Sequence, residues 1–253
     1  MRRFAFFILL VVLFPVKINA QTLNVAVASN FYHALVQLAP QFEQQTGIKV
    51  KISSGASGLL YAQILHGAPF DLFFSADEER PRLLEQKGLT SERKTYVHGQ
   101  LALWAPQQKT TINKTFLSKY NQQLAIANPR LAPYGKAAEQ TLDYLGLHQQ
   151  FSTKLILGNN INQTYQFIDS GNAKAGFVAY ALLLTKPKKA TEYWLIPQEF
   201  HQPIVQQVVL LKNAKQKQAA QALLEYILSS PIQKQLTKMG YSNLTPAIKL
   251  DNR

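Results

Sequence analysis

Short β-like runs alternate with stretches of helical spacing along most of this chain, and that alternation most limits how it can fold. The first run is "LNVAVAS" (Leu23 to Ser29), after which Leu35, Leu38, Ala39 and Phe42 recur at helical spacing until Gly47 stops them. "IKVKISS" leads to a helix at about Gly58 to His66, and "DLFFSA" leads to one at about Glu78 to Lys87. Strand, helix, strand, helix, strand is the signature of a parallel sheet with covering helices. The order then recurs. "QLALWAP" (Gln100 to Pro106) and "QLAIANP" (Gln123 to Pro129) read as strands, with a helix near Gly135 to Leu145. "TKLILG", a helix over about Asn162 to Ser170 and the strand "AGFVA" (Ala175 to Ala179) follow. "IVQQVVLLK" (Ile204 to Lys212) is a further strand, and helices at Gln216 to Leu228 and Ile232 to Met239 end at Gly240. Two α/β units, the first resumed at the C-terminal end, place a cleft between two lobes.

The chain opens "MRRFAFFILLVVLFPVKINAQ": two arginines, an apolar run from Phe4 to Phe14 and a small residue, Ala20, before Gln21. This is the pattern of a secretory signal, and the apolar run is shorter than the ~20 residues of a membrane span. The expectation is a signal peptide at residues 1–20 and an exported protein with no stable membrane insertion. The chain has no cysteine, which excludes disulfides, a thiolate nucleophile and Cys-ligated metal; a lipid-anchored form is not expected either. The formal charge of the full chain is +13. Its basic residues are scattered apart from Lys186 to Lys189 and Lys212 to Lys217, and aromatics do not interleave with them as a nucleic-acid groove requires. The charge reads as a solvated basic surface.

Open parallel sheets bind ligands beyond the carboxyl ends of their strands, and four strand-to-helix corners share one character there. In "VAVASNF", Ser29 or Asn30 can cap the next helix. In "SSGASGLL", Ser57 falls at the cap position, with Gly55 and Gly58 allowing close backbone approach to a ligand. "ANPRLAPYGKAA" sets Pro133, Tyr134 and Gly135 at a helix entry, and "LGNNINQTYQFI" sets Asn159, Asn160 and Ile161 at another. Helix N-termini offer unpaired amides and partial positive charge, which suit an anion. None of the four corners brings a carboxylate to its cap. Together they suit a tetrahedral oxyanion. Enzyme readings find little support: His33, His66, His98, His148 and His201 are scattered, HExxH is missing, and "SGASG" lacks the setting of a nucleophile elbow. A ferric site would need clustered Tyr, His or carboxylate oxygens.

"VAVASNF", the serine cluster with "GAPFDLFFSAD", "ANPRLAPYGKAAEQTL" and "GFVA" together resemble the periplasmic molybdate-binding proteins of bacterial ABC transporters, in order along nearly the whole exported chain. The resemblance implies a type II two-lobe periplasmic binding protein, α/β in class, each lobe a mixed, mostly parallel sheet with helices on both faces. It implies lobe I at 21–101 plus 205–253 and lobe II at 102–204, joined by crossing strands for which Gln100 to Pro106 and Ile204 to Lys212 are the candidates, and closing on the anion by a hinge motion. It further implies high-affinity binding of molybdate and tungstate between the lobes, no catalysis, no cofactor, no direct protein ligand to molybdenum, and delivery by a monomer to a membrane permease. Sulfate or phosphate remains open as the oxyanion; a hydrolase or a basic envelope-associated protein remains as a different class. Residue by residue, the resemblance implies hydroxyl and amide donors at Ser29 and Ser57 and backbone amides at Tyr134 and Ile161. The family's ligand-contacting tyrosine falls at Ala179 here, with Tyr180 one residue on. A shift by one reverses side-chain direction on a strand, so Tyr180 joins the set only if the strand ends at Val178.

Overall fold

A computed structural model of the chain describes residues 21–185 and 193–242; the expected signal peptide and the run Lys186 to Lys189 lie outside them. The chain first lays down β1 (Thr22–Ala28), α1 (Tyr32–Thr46), β2 (Lys49–Gly55), α2 (Ser57–Leu65), β3 (Leu72–Phe74), α3 (Glu79–Gln86) and β4 (Thr90–Gly99). It continues through β5 (Leu101–Trp104), α4 (Lys114–Lys119), β6 (Leu124–Ala127), α5 (Pro133–Tyr144), α6 (His148–Phe151) and β7 (Leu155–Gly158). After these come α7 (Ile161–Asp169), β8 (Ala175–Ala179), α8 (Tyr180–Leu184) and β9 (Tyr193–Leu195). The return is β10 (Ile204–Leu211), α9 (Lys217–Leu228) and α10 (Ser230–Lys238).

Two five-stranded sheets result, ordered β2-β1-β3-β10-β4 and β7-β6-β8-β5-β9. In the first, β10 alone runs against the other strands; in the second, β5 does. Four strands of five therefore share a direction in each sheet, and their carboxyl ends gather at one edge.

Period-two alternation decides what each face covers. Leu23, Val25, Val27, Leu72, Phe74, Val208 and Leu210 point to one side of the first sheet, where Leu35, Leu38 and Phe42 of α1 meet Leu223, Leu224 and Ile227 of α9. Ala26, Phe73, Val209 and Leu211 point to the other, against Leu60 and Ile64 of α2 and Leu84 of α3. Asp71 joins the returning segment to this frame: its carboxylate accepts from the amides of Asn24 (2.9 Å), Lys215 (2.8 Å) and Gln216 (3.3 Å).

The sequence misses β4, because "TSERKTYVHG" carries Glu92, Arg93 and Lys94 and does not look like a strand. It is an edge strand, where charge is the usual protection against stray pairing. The candidate crossings are also corrected. β5 pairs only within the second sheet and β10 only within the first. A strand that gives all its backbone groups to one ladder cannot carry the switch, so the chain crosses at Gln100, between β4 and β5, and returns between Leu195 and Ile204.

Leu223 is fully buried on the helix that returns to the first sheet. Leu223→Ala should cost about 2–5 kcal/mol, read as a lower urea midpoint by circular dichroism; an unchanged midpoint would separate α9 from that core.

Candidate functional site

Each sheet brings two of the four corners side by side. The β1–β2 register ends at Ala28 opposite Gly55, and the Ser29 amide then donates to the Gly55 carbonyl (2.9 Å). In the second sheet Ala127 ends opposite Gly158, and the Asn128 amide donates to the Gly158 carbonyl (2.8 Å). The two pairs then face each other. Ala28, Ala56 and Ala76 from the strand ends of the first sheet share one buried cluster with Ala132, Tyr134 and Ile161 from the second. The Gly58 amide donates across this seam to the Leu131 carbonyl (3.0 Å). Ser29, Ser57, Tyr134 and Ile161 are 5, 1, 1 and 2% exposed, so the seam is closed over them.

Three of the four helices begin without a side-chain cap. The N-cap residues are Phe31 for α1, Ala56 for α2 and Ala132 for α5, and none accepts a bond from its helix through a side chain. Two sequence expectations are corrected here. Neither Ser29 nor Asn30 caps α1, and Ser57 is the first residue of α2 rather than its cap. The Ser57 hydroxyl instead accepts from the Ala76 amide (2.9 Å), because that strand-end donor points into the seam and has no ladder partner. A hydroxyl that accepts there keeps its own proton to donate. Of these four, α7 is capped conventionally: Asn160 accepts from the Gln163 amide (3.0 Å). The first-turn amides of Ser57, Tyr134 and Ile161 are thus left as donors by helix geometry.

Other expectations change in detail. Ser29 has only its hydroxyl to offer, since its amide is engaged with Gly55. Gly58 does allow a close approach, but by the opposite lobe: a Cβ there would stand 3.1 Å from the Leu131 carbonyl and from Arg80 Nη2. A Cβ at Gly55 would make only an ordinary 3.5 Å contact with Leu60. Gly135, inside "PYG", is needed for space, because a Cβ would stand 2.7 Å from the Ala127 carbonyl carbon. This lets the first turn of α5 sit directly on the end of β6.

Tyr180 is not brought into the group. Its strand runs to Ala179, which is fully buried opposite Leu101. Tyr180 therefore opens α8, its amide donates to the Gln100 carbonyl (2.9 Å), and its hydroxyl lies 3.5 Å from that of Tyr193 on the edge strand β9.

Sequence reading missed a second set of residues beside the seam. Gln206 Oε1 accepts from Asn30 Nδ2 (2.8 Å) and from the Tyr96 hydroxyl (2.9 Å), while Gln206 Nε2 donates to the Tyr134 hydroxyl (3.1 Å). The Tyr241 hydroxyl donates to the Asn30 carbonyl (2.8 Å). Burial raises the Tyr96, Tyr134 and Tyr241 hydroxyls above the usual tyrosine range, so all three stay neutral donors. The available signal was two glutamines inside the otherwise apolar "IVQQVV".

Charges stand outside. A groove of about 1200 Å³ opens beside the seam, lined by Arg80, Arg93, Arg130 and Lys136 together with Glu79 and Glu139, and Ser29, Ser57, Tyr134 and Ile161 do not line it. Asp77 is ion-paired with Arg80, which also donates to the Arg130 carbonyl across the cleft (3.2 Å). Among the described residues no group of three His, Asp or Glu could hold a metal ion, and no helix is long and apolar enough to cross a membrane.

This arrangement has known counterparts. Residues 23–242 match the family model of the bacterial extracellular solute-binding proteins. The molybdate-binding protein ModA of Azotobacter vinelandii is 40% identical over 229 residues, 88% of this chain and 90% of that protein. The molybdate-binding protein ModA of Rhodobacter capsulatus is 36% identical over 219 residues, 85% and 86% of the two chains. The solved structure of the Azotobacter vinelandii periplasmic molybdate-binding protein superposes with a TM-score of 0.83 at 36% identity, covering 88% of this chain and all of that one. With the same fold and that identity over nearly its whole length, the chain belongs to the bacterial extracellular solute-binding proteins, in the branch of the molybdate-binding proteins.

Proposed function

We propose that this protein binds a tetrahedral oxyanion, molybdate and equally tungstate, between lobes made of residues 21–101 with 205–253 and of residues 102–204. It does so as a periplasmic monomer after removal of residues 1–20, and it delivers the anion to the membrane permease of an ABC transporter. The observation that carries this is a closed, neutral seam onto which three uncapped helix ends and one Asn-capped end converge, in a chain 40% identical to a protein named for binding molybdate.

Even a singly charged ion leaves water at a cost of about 20 kcal/mol by idealised solvation, and a dianion at more, since the cost grows with the square of the charge, so the site must replace its hydration. Each helix N-terminus carries roughly half a positive charge, so four converging ends supply about two. That balances a doubly charged oxyanion without any cationic side chain. The donors are the Ser29 hydroxyl, the Ser57 hydroxyl and amide, and the Tyr134 and Ile161 amides. Tyr180 stays outside the set while its hydroxyl faces Tyr193. Donors fixed on two packed sheets distinguish anions by size, favouring molybdate and tungstate alike over the smaller sulfate. The scattered positive charge of the surface steers anions inward. The family is one of solute-binding proteins, which supports a binding role.

Isothermal titration of the purified protein should show one molybdate per chain, and Ser57→Ala should weaken it by about 1.5–3 kcal/mol, as for a hydrogen bond to a charged group. Unchanged affinity in that variant would remove Ser57 from the site. Thermal stability should rise with molybdate and tungstate and much less with sulfate or phosphate; a larger rise with phosphate would make it the ligand. Raising salt should weaken binding far less than it weakens anions held on an open basic surface.

A further inference from the structure

Gly99, the last residue of β4, has no room for a side chain. A Cβ there would stand 2.7 Å from Gln206 Nε2 and 2.9 Å from Tyr134 Cζ, closer than real Cβ atoms come. The space is filled by the Tyr134 hydroxyl, which comes from α5, on the opposite sheet. Gly99 immediately precedes the crossing at Gln100, and Gln206 follows the returning crossing by two residues in β10. The phenol of Tyr134 therefore ends between the two strands that join the lobes.

The hydroxyl is held there by Gln206, whose Nε2 donates to it (3.1 Å). Gln206 in turn ties Asn30, next to Ser29, to Tyr96. All five residues of this network, Tyr241 included, are at most 2% exposed. Directional bonds between buried side chains fix one arrangement in a way that an apolar contact of the same area does not; among these atoms Asn30 Oδ1 alone has no partner. Beside the crossing, Ala181 of α8 packs in the core of the first sheet and Gln100 Nε2 donates to the Gly240 carbonyl (3.1 Å); the ties across the cleft are of another kind. Gly58 to Leu131, Arg80 to Arg130 and Lys136 to Glu79 (3.9 Å) join the cleft walls rather than the crossing strands, so a hinge opening would separate them first.

We propose that the Tyr134 hydroxyl, seated between Gly99 and Gln206, is the pivot of the hinge: it holds the N-terminus of α5 against the Ser29–Asn30 corner and so sets how closed the cleft is before an anion arrives. Tyr134 then has two separate duties, its amide toward the ligand and its hydroxyl toward the hinge. The consequence for affinity rests on the oxyanion reading; the consequence for the ligand-free protein does not.

The cysteine-free sequence makes the test clean. Spin labels at Gln45→Cys and Asn121→Cys, both exposed and on different lobes, report the interlobe distance by electron double resonance. In ligand-free protein Tyr134→Phe should lengthen and broaden that distribution relative to the labelled wild type, and saturating molybdate should restore it, with affinity about tenfold weaker. Gly99→Ala, which puts a methyl group into the hydroxyl's space from the other side, should broaden it in the same way if the phenylalanine variant folds poorly. Wild-type distributions in both variants without ligand would overturn the pivot. If molybdate leaves even the wild type unchanged, the oxyanion reading fails, while the ligand-free comparison still decides the pivot.

Discussion

Helix N-termini without side-chain caps are the feature on which the rest of this structure depends. A first-turn amide that finds no acceptor within its own chain is costly when buried, and here such amides are buried on both sides of one seam. Ala56 and Ala132, the residues where a cap would normally sit, have no acceptor to offer. The fold keeps these donors close together because the carboxyl ends of its parallel strands lie at one edge of each sheet. On the proposed function, an oxyanion at the seam would supply the missing acceptors of both lobes at once, which would couple binding to closure.

Closure in turn needs the two sheets to meet at a fixed angle, and the sequence provides for this with small residues and buried polar ones. Ala28, Ala56 and Ala76 let the strand ends approach the second lobe without intervening side chains. Gly135 lets α5 rest on β6, and Gly99 lets the Tyr134 hydroxyl enter the hinge. Charged groups are held at the cleft mouth, with Arg80 paired to Asp77 and Lys136 near Glu79. Full charges placed in the seam would bind many anions strongly and distinguish them poorly; neutral donors in fixed positions depend on fit.

The alternation of strand and helix was legible because it is local: the spacing Leu35, Leu38, Ala39, Phe42 and the stop at Gly47 correspond to α1 and its C-cap, where Gly47 has φ 73°. The four corners were legible for the same reason, as each lies within a few residues of a strand end. What could not be read is long-range. β4 resembles a loop because an edge strand is charged, and Ser57 resembles a cap because the bond that uses its hydroxyl comes from the Ala76 amide, 19 residues away. Tyr180 was undecided because its direction depends on whether the strand stops at Val178 or Ala179. The Gln206 network joins residues 72 to 176 positions apart, and only the polarity of "QQ" in an apolar strand hinted at it.

Tungsten's anomalous scattering tests the central claim most directly, because it locates the anion without reference to any donor. A crystal grown with tungstate should give one strong anomalous peak per chain in the seam, within reach of the Ser29 and Ser57 hydroxyls and the Tyr134 and Ile161 amides. A peak in the neighbouring groove among Arg80, Arg93 and Lys136, with none in the seam, would contradict the account: the protein would then hold its anion by surface charge, and the uncapped helix ends would have some other acceptor.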